Sequence, residues 1–85
     1  MATIEGRVVE YYTGRPIPGV LVTIDGIATV TDYRGIFRVT DLPPRVYRVE
    51  IVHRDFERVS LTANLLRVAS LNMGDIRVKG ILKPL

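Results

Sequence analysis

Apolar and polar residues alternate along most of this chain, and this period of two constrains its fold more than any other feature. A β-strand points successive side chains to opposite faces, so the alternation predicts strands with one buried face. Twelve Val, eight Ile and seven Thr favour the same conformation, because β-branched side chains fit a pleated, half-buried surface. No segment of the sequence shows a convincing helical pattern. We therefore expect an all-β protein.

Seven short strands are predicted, separated by clusters of glycine, proline and aspartate. Their inward residues are Ile4 and Val8 in 3–10, Val20, Val22 and Ile24 in 20–24, Ile27 in 27–31, Phe37 and Val39, then Tyr47, Val49 and Ile51, then Val59 and Leu61, and finally Ile76, Val78 and either Ile81 or Leu82 in 75–83. Residues 63–74 fit either a short helical turn or an irregular strand. Strands at this spacing are typical of a β-sandwich.

Two turns are specified by their residues. Asp25-Gly26 between alternating runs predicts a two-residue type I′ hairpin, in which both residues have positive φ. A tight hairpin places Ile27 opposite Ile24 on the core face and points Val30 away, whereas a bulge returns Val30 to the core; both registers remain open. Asp32 and Gly35 fit the first and last positions of a type I turn whose aspartate caps the backbone.

These residues together resemble a known family. The motifs are Gly6-x-Val8, Gly14-x-Pro16-Ile17-x-Gly19-Val20-x-Val22-x-Ile24, Thr31-Asp32-x-x-Gly35-x-Phe37-x-Val39, Leu42-Pro43-Pro44-x-x-Tyr47-x-Val49 and Phe56. In order and spacing they resemble the carboxypeptidase regulatory-like domain over about residues 4–62. The resemblance implies a seven-stranded antiparallel Greek-key β-sandwich of the transthyretin-like or prealbumin-like type. It also implies a non-catalytic accessory module.

The chain departs from the family pattern at three turns, one of which is the Asp25-Gly26 hairpin, which is short for the family. Arg45 stands where the family commonly has glycine, and Arg54-Asp55 precede Phe56 in place of a small residue and a glycine. The resemblance therefore constrains the turns at 43–46 and 53–57 less than the strands.

Length and composition limit the possible classes of function. With 85 residues, of which 47% are apolar, the chain is expected to form a single domain over 1–85. The absence of cysteine excludes disulfides and thiolate metal sites. We find no signal peptide or membrane-spanning segment, so a cytoplasmic location is the default expectation. Twelve basic and nine acidic residues are interleaved and give a net charge of +3, without a polybasic arm.

No catalytic or metal-binding motif emerges. The single histidine, His53, and the serines Ser60 and Ser70 lack the sequence context of a nucleophile and its base. We interpret His53 as a rim or partly buried side chain at a strand end. Four aspartates are each expected at a turn, where aspartate normally caps the backbone: Asp25, Asp32, Asp41 and Asp55. We expect no enzyme activity, cofactor or metal.

The best candidate for a binding surface is a set of apolar residues out of phase with the core positions of their strands: Leu21, Ile36, Val46 and Val52. One sandwich cannot place all four in its core, although residues 63–74 could cover some of them. A small sandwich also has open edge strands, and apolar surface beside an open edge favours pairing with another chain. The sequence therefore predicts an interaction module that binds another protein or self-associates through sheet edges.

Two alternatives depend on other side chains. A guanidinium and aromatic patch for nucleic acid or another polyanion would use Tyr33, Arg34, Arg38, Arg45 and Arg48. The acids interleaved with these residues favour cross-strand ion pairs instead. A carbohydrate-binding role would need an exposed aromatic platform, for which the loop residues Tyr11, Tyr12 and Tyr33 are the candidates.

Overall fold

A computed structural model describes residues 1–81 as seven β-strands in two facing sheets. The strands are β1 (Ala2–Glu10), β2 (Leu21–Ile24), β3 (Ile27–Val30), β4 (Ile36–Leu42), β5 (Val46–His53), β6 (Phe56–Asn64) and β7 (Ser70–Val78). One sheet has the order β4-β1-β7 and the other β3-β2-β5-β6. The predicted seven-stranded β-sandwich is confirmed.

The strand pairs are antiparallel, except that β1 and β7 pair in parallel. The expectation of an antiparallel sandwich was wrong for this one pair. Its cause is the connection 65–69, which carries the chain from the end of β6 to the other sheet at the end where β1 also begins. Strands β2 to β5 follow the predicted Greek key. The chain crosses to the other sheet in β4 and then returns in β5, which pairs with β2.

The last strand differs from the predicted range 75–83. It begins at Ser70 and ends at Val78, and residues 65–69 form an irregular connection rather than a helical turn. Met73 and Gly74 together face the single residue Gly6 of β1, which makes a β-bulge. The bulge shifts the alternation by one residue, so the strand does not show one continuous period of two. Of the two expected inward positions, Ile81 is 47% exposed and Leu82 lies outside the described residues.

The core contains side chains from all strands except the edge strand β3, with Tyr47 and Phe37 the largest. Gly6 faces the core, and a Cβ built there would lie 2.7 Å from Cζ of Phe37. Only a residue without a side chain leaves room for this ring. The Tyr47 hydroxyl donates a hydrogen bond of 2.6 Å to the carbonyl oxygen of Pro43, which fixes its polar end at the start of the β4–β5 loop.

Both predicted turns are confirmed. Asp25 and Gly26 have φ values of 46° and 89°, and Ile24 pairs with Ile27, so the hairpin is the tight form. Asp32 Oδ1 accepts the backbone N–H groups of Arg34 and Ile36 at 2.8 and 3.0 Å. These hydrogen bonds, that of Ile36 first, lower the pKa of the Asp32 carboxyl.

Gly35 closes the second turn with a φ of 74°, a region that L side chains rarely adopt. A Cβ at this position would lie only 2.6 Å from the carbonyl oxygen of Val8, and 3.1 Å from the backbone nitrogen of Ile17. Gly35 therefore allows the 31–35 loop to lie directly against β1 and the preceding loop.

The sandwich is elongated, with principal extents of 47 × 20 × 17 Å. The loops 11–20, 31–35, 54–55 and 79–81 lie at one end, called here the tyrosine end. The β2–β3 turn, the β4–β5 loop and the connection 65–69 lie at the other, called the hairpin end. Within residues 1–81 there is no helix that is long and apolar enough to cross a membrane.

Candidate functional site

The outer face of the four-stranded sheet carries a row of apolar side chains. Leu21 of β2 pairs with Val30 of β3 on one side and with Val52 of β5 on the other. Residues directly opposite in an antiparallel pair point to the same face, so the three form one continuous row. Leu21 is 38% exposed, Val30 is 56% exposed, and Val52 is half-buried.

The row ends at the open edge of the sheet. Within residues 1–81, strand β3 pairs only with β2, and its four residues, Ile27 to Val30, include no charge and no proline. Ile27 is on the inner face opposite Ile24, yet it is 45% exposed because β3 is at the rim of the sandwich. Edge strands usually carry lysine, proline or a bulge that prevents pairing with another chain, and β3 carries none of these. We call Leu21, Ile27, Val30 and Val52 the β3-side surface.

The four predicted interface residues do not form one surface. Leu21 and Val52 are adjacent, as described above. Val46 is on the same face but at the hairpin end, paired with Asn64. Ile36 is half-buried on the opposite sheet, where it pairs with Arg7.

Sequence reasoning omitted two members of the β3-side surface, Ile27 and Val30. The tight hairpin register points Val30 outward, but the alternation of residues does not distinguish this register from a bulged one. The exposure of Ile27 depends on β3 being an edge strand, and strand order cannot be read from alternation.

A second apolar group is present at the hairpin end. Leu66 and Val68 of the 65–69 connection are 55% and 44% exposed and line a shallow groove beside Asn64 and Arg67. Val46 is close by, because its pairing partner Asn64 accepts the N–H of Leu66 through its side chain. The connection therefore lies at the opposite end from Leu21 and Val52 and does not cover them.

The outer face of the three-stranded sheet carries charged side chains, of which Arg7 and Asp75 form an ion pair. Nε and Nη2 of Arg7 donate to the two carboxylate oxygens of Asp75 at 2.9 and 2.8 Å. The hydrogen bond to Arg7 lowers the pKa of Asp75, and the same bond raises the pKa of Arg7. Glu5 lies opposite Arg38 in the register of β1 and β4. The bulge of β7 brings Asp75 opposite Arg7, so it is a precondition of this ion pair.

The five residues of the predicted polyanion patch are distributed over the molecule. Tyr33 and Arg34 are at the tyrosine end, with the guanidinium 5.6 Å from the ring centroid. Arg38 lies beside Glu5 on β4. Arg45 and Arg48 are towards the hairpin end, where Arg45 lies 4.8 Å from the Tyr47 ring and 3.7 Å from Asp25. The structure does not bring these five side chains together.

The three loop tyrosines are at the same end. Tyr11 and Tyr12 make an edge-on ring contact at 5.1 Å, and the Lys79 ammonium lies 4.5 Å above the Tyr11 ring. Tyr12 and Tyr33 are 78% and 80% exposed. Glu10 organises this loop by accepting the N–H groups of Tyr12 and Thr13, which lower its pKa.

Among the side chains considered for catalysis or metal binding, His53 and Asp25 have structural partners. His53 Nδ1 accepts the backbone N–H of Asp55 at 3.0 Å, which places its remaining proton on Nε2 in the neutral ring. Asp25 Oδ1 accepts the N–H of Arg48 at 3.1 Å. Asp41 is not at a turn as expected, but in β4 with a φ of 60°, where Thr40 and Asp41 bulge opposite Thr3. Among residues 1–81 no three His, Asp or Glu side chains cluster as metal ligands.

Comparison with known proteins gives both a family and similar structures. The sequence pattern of the carboxypeptidase regulatory-like domain family matches residues 3–79. No curated protein matches the chain.

Among solved structures, a chain of an N-terminal interface mutant of the type II cohesin–X-dockerin complex from Acetivibrio cellulolyticus is similar. It shows 25% identity and a TM-score of 0.73, over 94% of this chain and 58% of that chain. For a chain of the C-terminal interface mutant of the same complex, identity is 26% and the TM-score 0.67, over 88% of this chain and 53% of that chain. This chain thus spans little more than half the length of either.

Proposed function

The chain belongs to the carboxypeptidase regulatory-like domain family, and from this premise we propose that it is a non-catalytic module that binds another protein through the β3-side surface. The observation that carries the proposal is the row of Leu21, Val30 and Val52, which ends at an edge strand without charge or proline. Apolar surface next to an open edge offers both hydrophobic contact and backbone hydrogen bonds to a partner strand.

Two further observations support a protein partner. The similar structures are chains of a protein–protein complex. On the outer face of the other sheet Arg7 forms a bidentate ion pair with Asp75, whereas the row of Leu21, Val30 and Val52 is apolar. Covering each half-exposed side chain of the row contributes about 1 kcal/mol, so the row alone supports a weak to moderate complex.

Affinity capture with matched variants tests this proposal. The double variant Leu21→Lys with Val30→Lys places two charges on the row, and the control Thr40→Lys with Ser70→Lys adds the same charge to exposed positions of the other sheet. We expect a discrete protein bound by the parent chain to be retained by the control and lost by the row variant. Identical captured proteins for all three chains would refute binding through this surface, provided that circular dichroism shows all three folded.

A second candidate is carbohydrate binding at the tyrosine end, favoured by the shared location of Tyr11, Tyr12 and Tyr33. Exposed rings near hydrogen-bonding side chains can stack on sugar faces, and Tyr12 borders a groove with Glu57 and Lys79. Titration of soluble polysaccharides against the parent chain and Tyr12→Ala measures this directly. The candidate requires saturable binding that is lost in the variant, and absence of binding by the parent chain would eliminate it.

A further inference from the structure

The far edge of the four-stranded sheet, strand β6, is only partly paired. On one side β6 pairs with β5 along its length. On the other, Glu57 donates its N–H to the Lys79 carbonyl and Phe56 forms an antiparallel bridge with Gly80, so the segment 79–81 covers the first residues of the strand. Among the residues that the structure describes, none pairs with the outer edge of 58–64, and the chain leaves the sheet at Leu65.

We propose that two copies of this chain associate by pairing their β6 strands antiparallel, with Leu61 opposite Leu61 of the partner copy. This assigns a second copy of the chain to an edge remote from the β3-side surface, so the inference does not rest on the function proposed above. It would join the two four-stranded sheets into one sheet of eight strands with the order β3-β2-β5-β6-β6-β5-β2-β3.

The alternation along β6 restricts the register. Val59, Leu61 and Ala63 face the core side, whereas Arg58, Ser60, Thr62 and Asn64 are exposed. Residues that lie opposite each other in an antiparallel pair point to the same face of the sheet. The two-fold axis that relates two β6 strands must therefore lie between one residue and the same residue of the partner copy. A pair centred on Leu61 uses all seven free residues, since 58 then faces 64 and 60 faces 62. Any other centre shortens the pairing or meets the segment 79–81.

The charges on this edge are compatible with a second copy. Arg58 would face Asn64, and Ser60 would face Thr62, so no like charges oppose each other. Arg58 is also partly neutralised by Glu50 of its own chain, at 3.8 Å. The free residues 59–64 contain neither charge nor proline, the features that normally prevent edge-to-edge pairing.

The core is least sealed on this side of the sandwich. Within residues 1–81, seven hydrophobic side chains are only partly buried while packing on the core, and five of them are on β6 and β7: Phe56, Val59, Leu61, Leu71 and Met73. The sheets contain four and three strands, so the inner face of β6 has less cover than that of the central strands. A second β6 would place a further Val59 and Leu61 beside this half-covered surface and extend the core across the two-fold axis.

Sedimentation velocity over a concentration series tests the proposal with two charge variants of β6. In Ser60→Lys with Thr62→Lys, lysines face lysines across the axis twice, and we expect the dimer dissociation constant to rise at least about ten-fold. In Ser60→Lys with Thr62→Glu, each lysine faces a glutamate, and we expect dimerisation to be retained or strengthened. Both positions are exposed, and thermal unfolding of each variant checks that the monomer remains folded.

Val30→Lys on the opposite edge serves as the matched control and should leave the β6 dimer unchanged. A parent chain that stays monomeric to millimolar concentration overturns the proposal. So does a dimer that is disrupted equally by both β6 variants, or one that is lost only with Val30→Lys. The last result would assign self-association to the β3-side surface and leave protein binding there intact, so the two proposals can fail separately.

Discussion

The outer faces of the two sheets share the same strand geometry but have opposite chemical character. On the three-stranded sheet, Arg7 and Asp75 form a bidentate ion pair and Glu5 lies opposite Arg38, so the face is charged and its central ion pair lies within the chain. On the four-stranded sheet, Leu21, Val30 and Val52 form a partly exposed apolar row. The charged face has an ion pair within the monomer, whereas the apolar row remains partly exposed to solvent. Changes to the first sheet should therefore reduce stability, and changes to the row should reduce binding.

The largest effect is expected at Gly35, whose loop lies against β1 of the three-stranded sheet. Gly35→Val combines a strained positive φ with a contact of 2.6 Å to the Val8 carbonyl oxygen. We expect it to lower the free energy of unfolding by about 3 kcal/mol or more. Gly14→Ala is the control, because its φ is also positive but nothing lies within 4 Å of the added methyl group. Chemical denaturation should show a loss of only about 1 kcal/mol for the control. Equal losses would show that the close contact is unimportant.

The next effect is expected inside the same sheet, at Gly6. Gly6→Ala places a methyl group 2.7 Å from the buried Phe37 ring, which must shift within a filled core. We expect a loss of about 1–3 kcal/mol, measured by urea denaturation. Gly6→Ala combined with Phe37→Leu should lose less than the sum of the two single variants, because the smaller side chain makes room. Strict additivity would contradict the ring-over-glycine packing.

The ion pair on the three-stranded face should make stability depend on pH. Since Arg7 lowers the folded-state pKa of Asp75, the unfolded chain binds a proton at this carboxylate more readily than the folded chain. The stabilisation is therefore present above the ordinary aspartate pKa of 3.8 and is lost as pH falls through the lower folded value. Thermal unfolding between about pH 2 and 6 should show a shallower decline for Asp75→Asn than for the parent chain. Glu57→Gln, away from this pair, controls for the loss of one carboxylate.

The smallest effect on stability is expected on the apolar row. Leu21→Lys should change the free energy of unfolding by no more than about 0.5 kcal/mol, because the long side chain can follow the surface and keep its ammonium in water. This near-neutral result, measured beside the loss of partner capture described above, would separate a binding role from a folding role. A large destabilisation would mean that Leu21 belongs to the core, and the contrast between the two faces would disappear.

Local patterns predicted the turns and most strands, because the information lies within a few residues. The Asp25-Gly26 hairpin and the cap by Asp32 required only residue types with a known preference for positive φ or for backbone hydrogen bonds. The last strand was misplaced because the bulge at Met73 and Gly74 interrupts its alternation. A bulge is a response to the neighbouring strand, here Gly6 of β1, and a single strand does not reveal it.

The candidate surface was predicted only in part for a related reason. Leu21 and Val52 were identified by their phase within single strands, and the structure shows them paired. Assigning Ile36 and Val46 to the same surface would have required the order of strands, which places one on the other sheet and one at the other end. The predicted polyanion patch depended on the same missing information, since Arg34 and Arg45 are near in sequence but at different ends.

The parallel pairing of β1 with β7 also affects how the chain reaches this structure. Arg7 and Asp75 are 68 positions apart, and the β1–β7 ladder closes nearly the whole chain into one loop. Contacts of such long range form late and slow the search for the native state, whereas the hairpins β2–β3 and β5–β6 close over short distances. During synthesis the strands that precede β7 are therefore exposed until β7 completes the three-stranded sheet. Until then one edge of β1 has no partner strand, and the nascent chain is most exposed to misassembly in that interval.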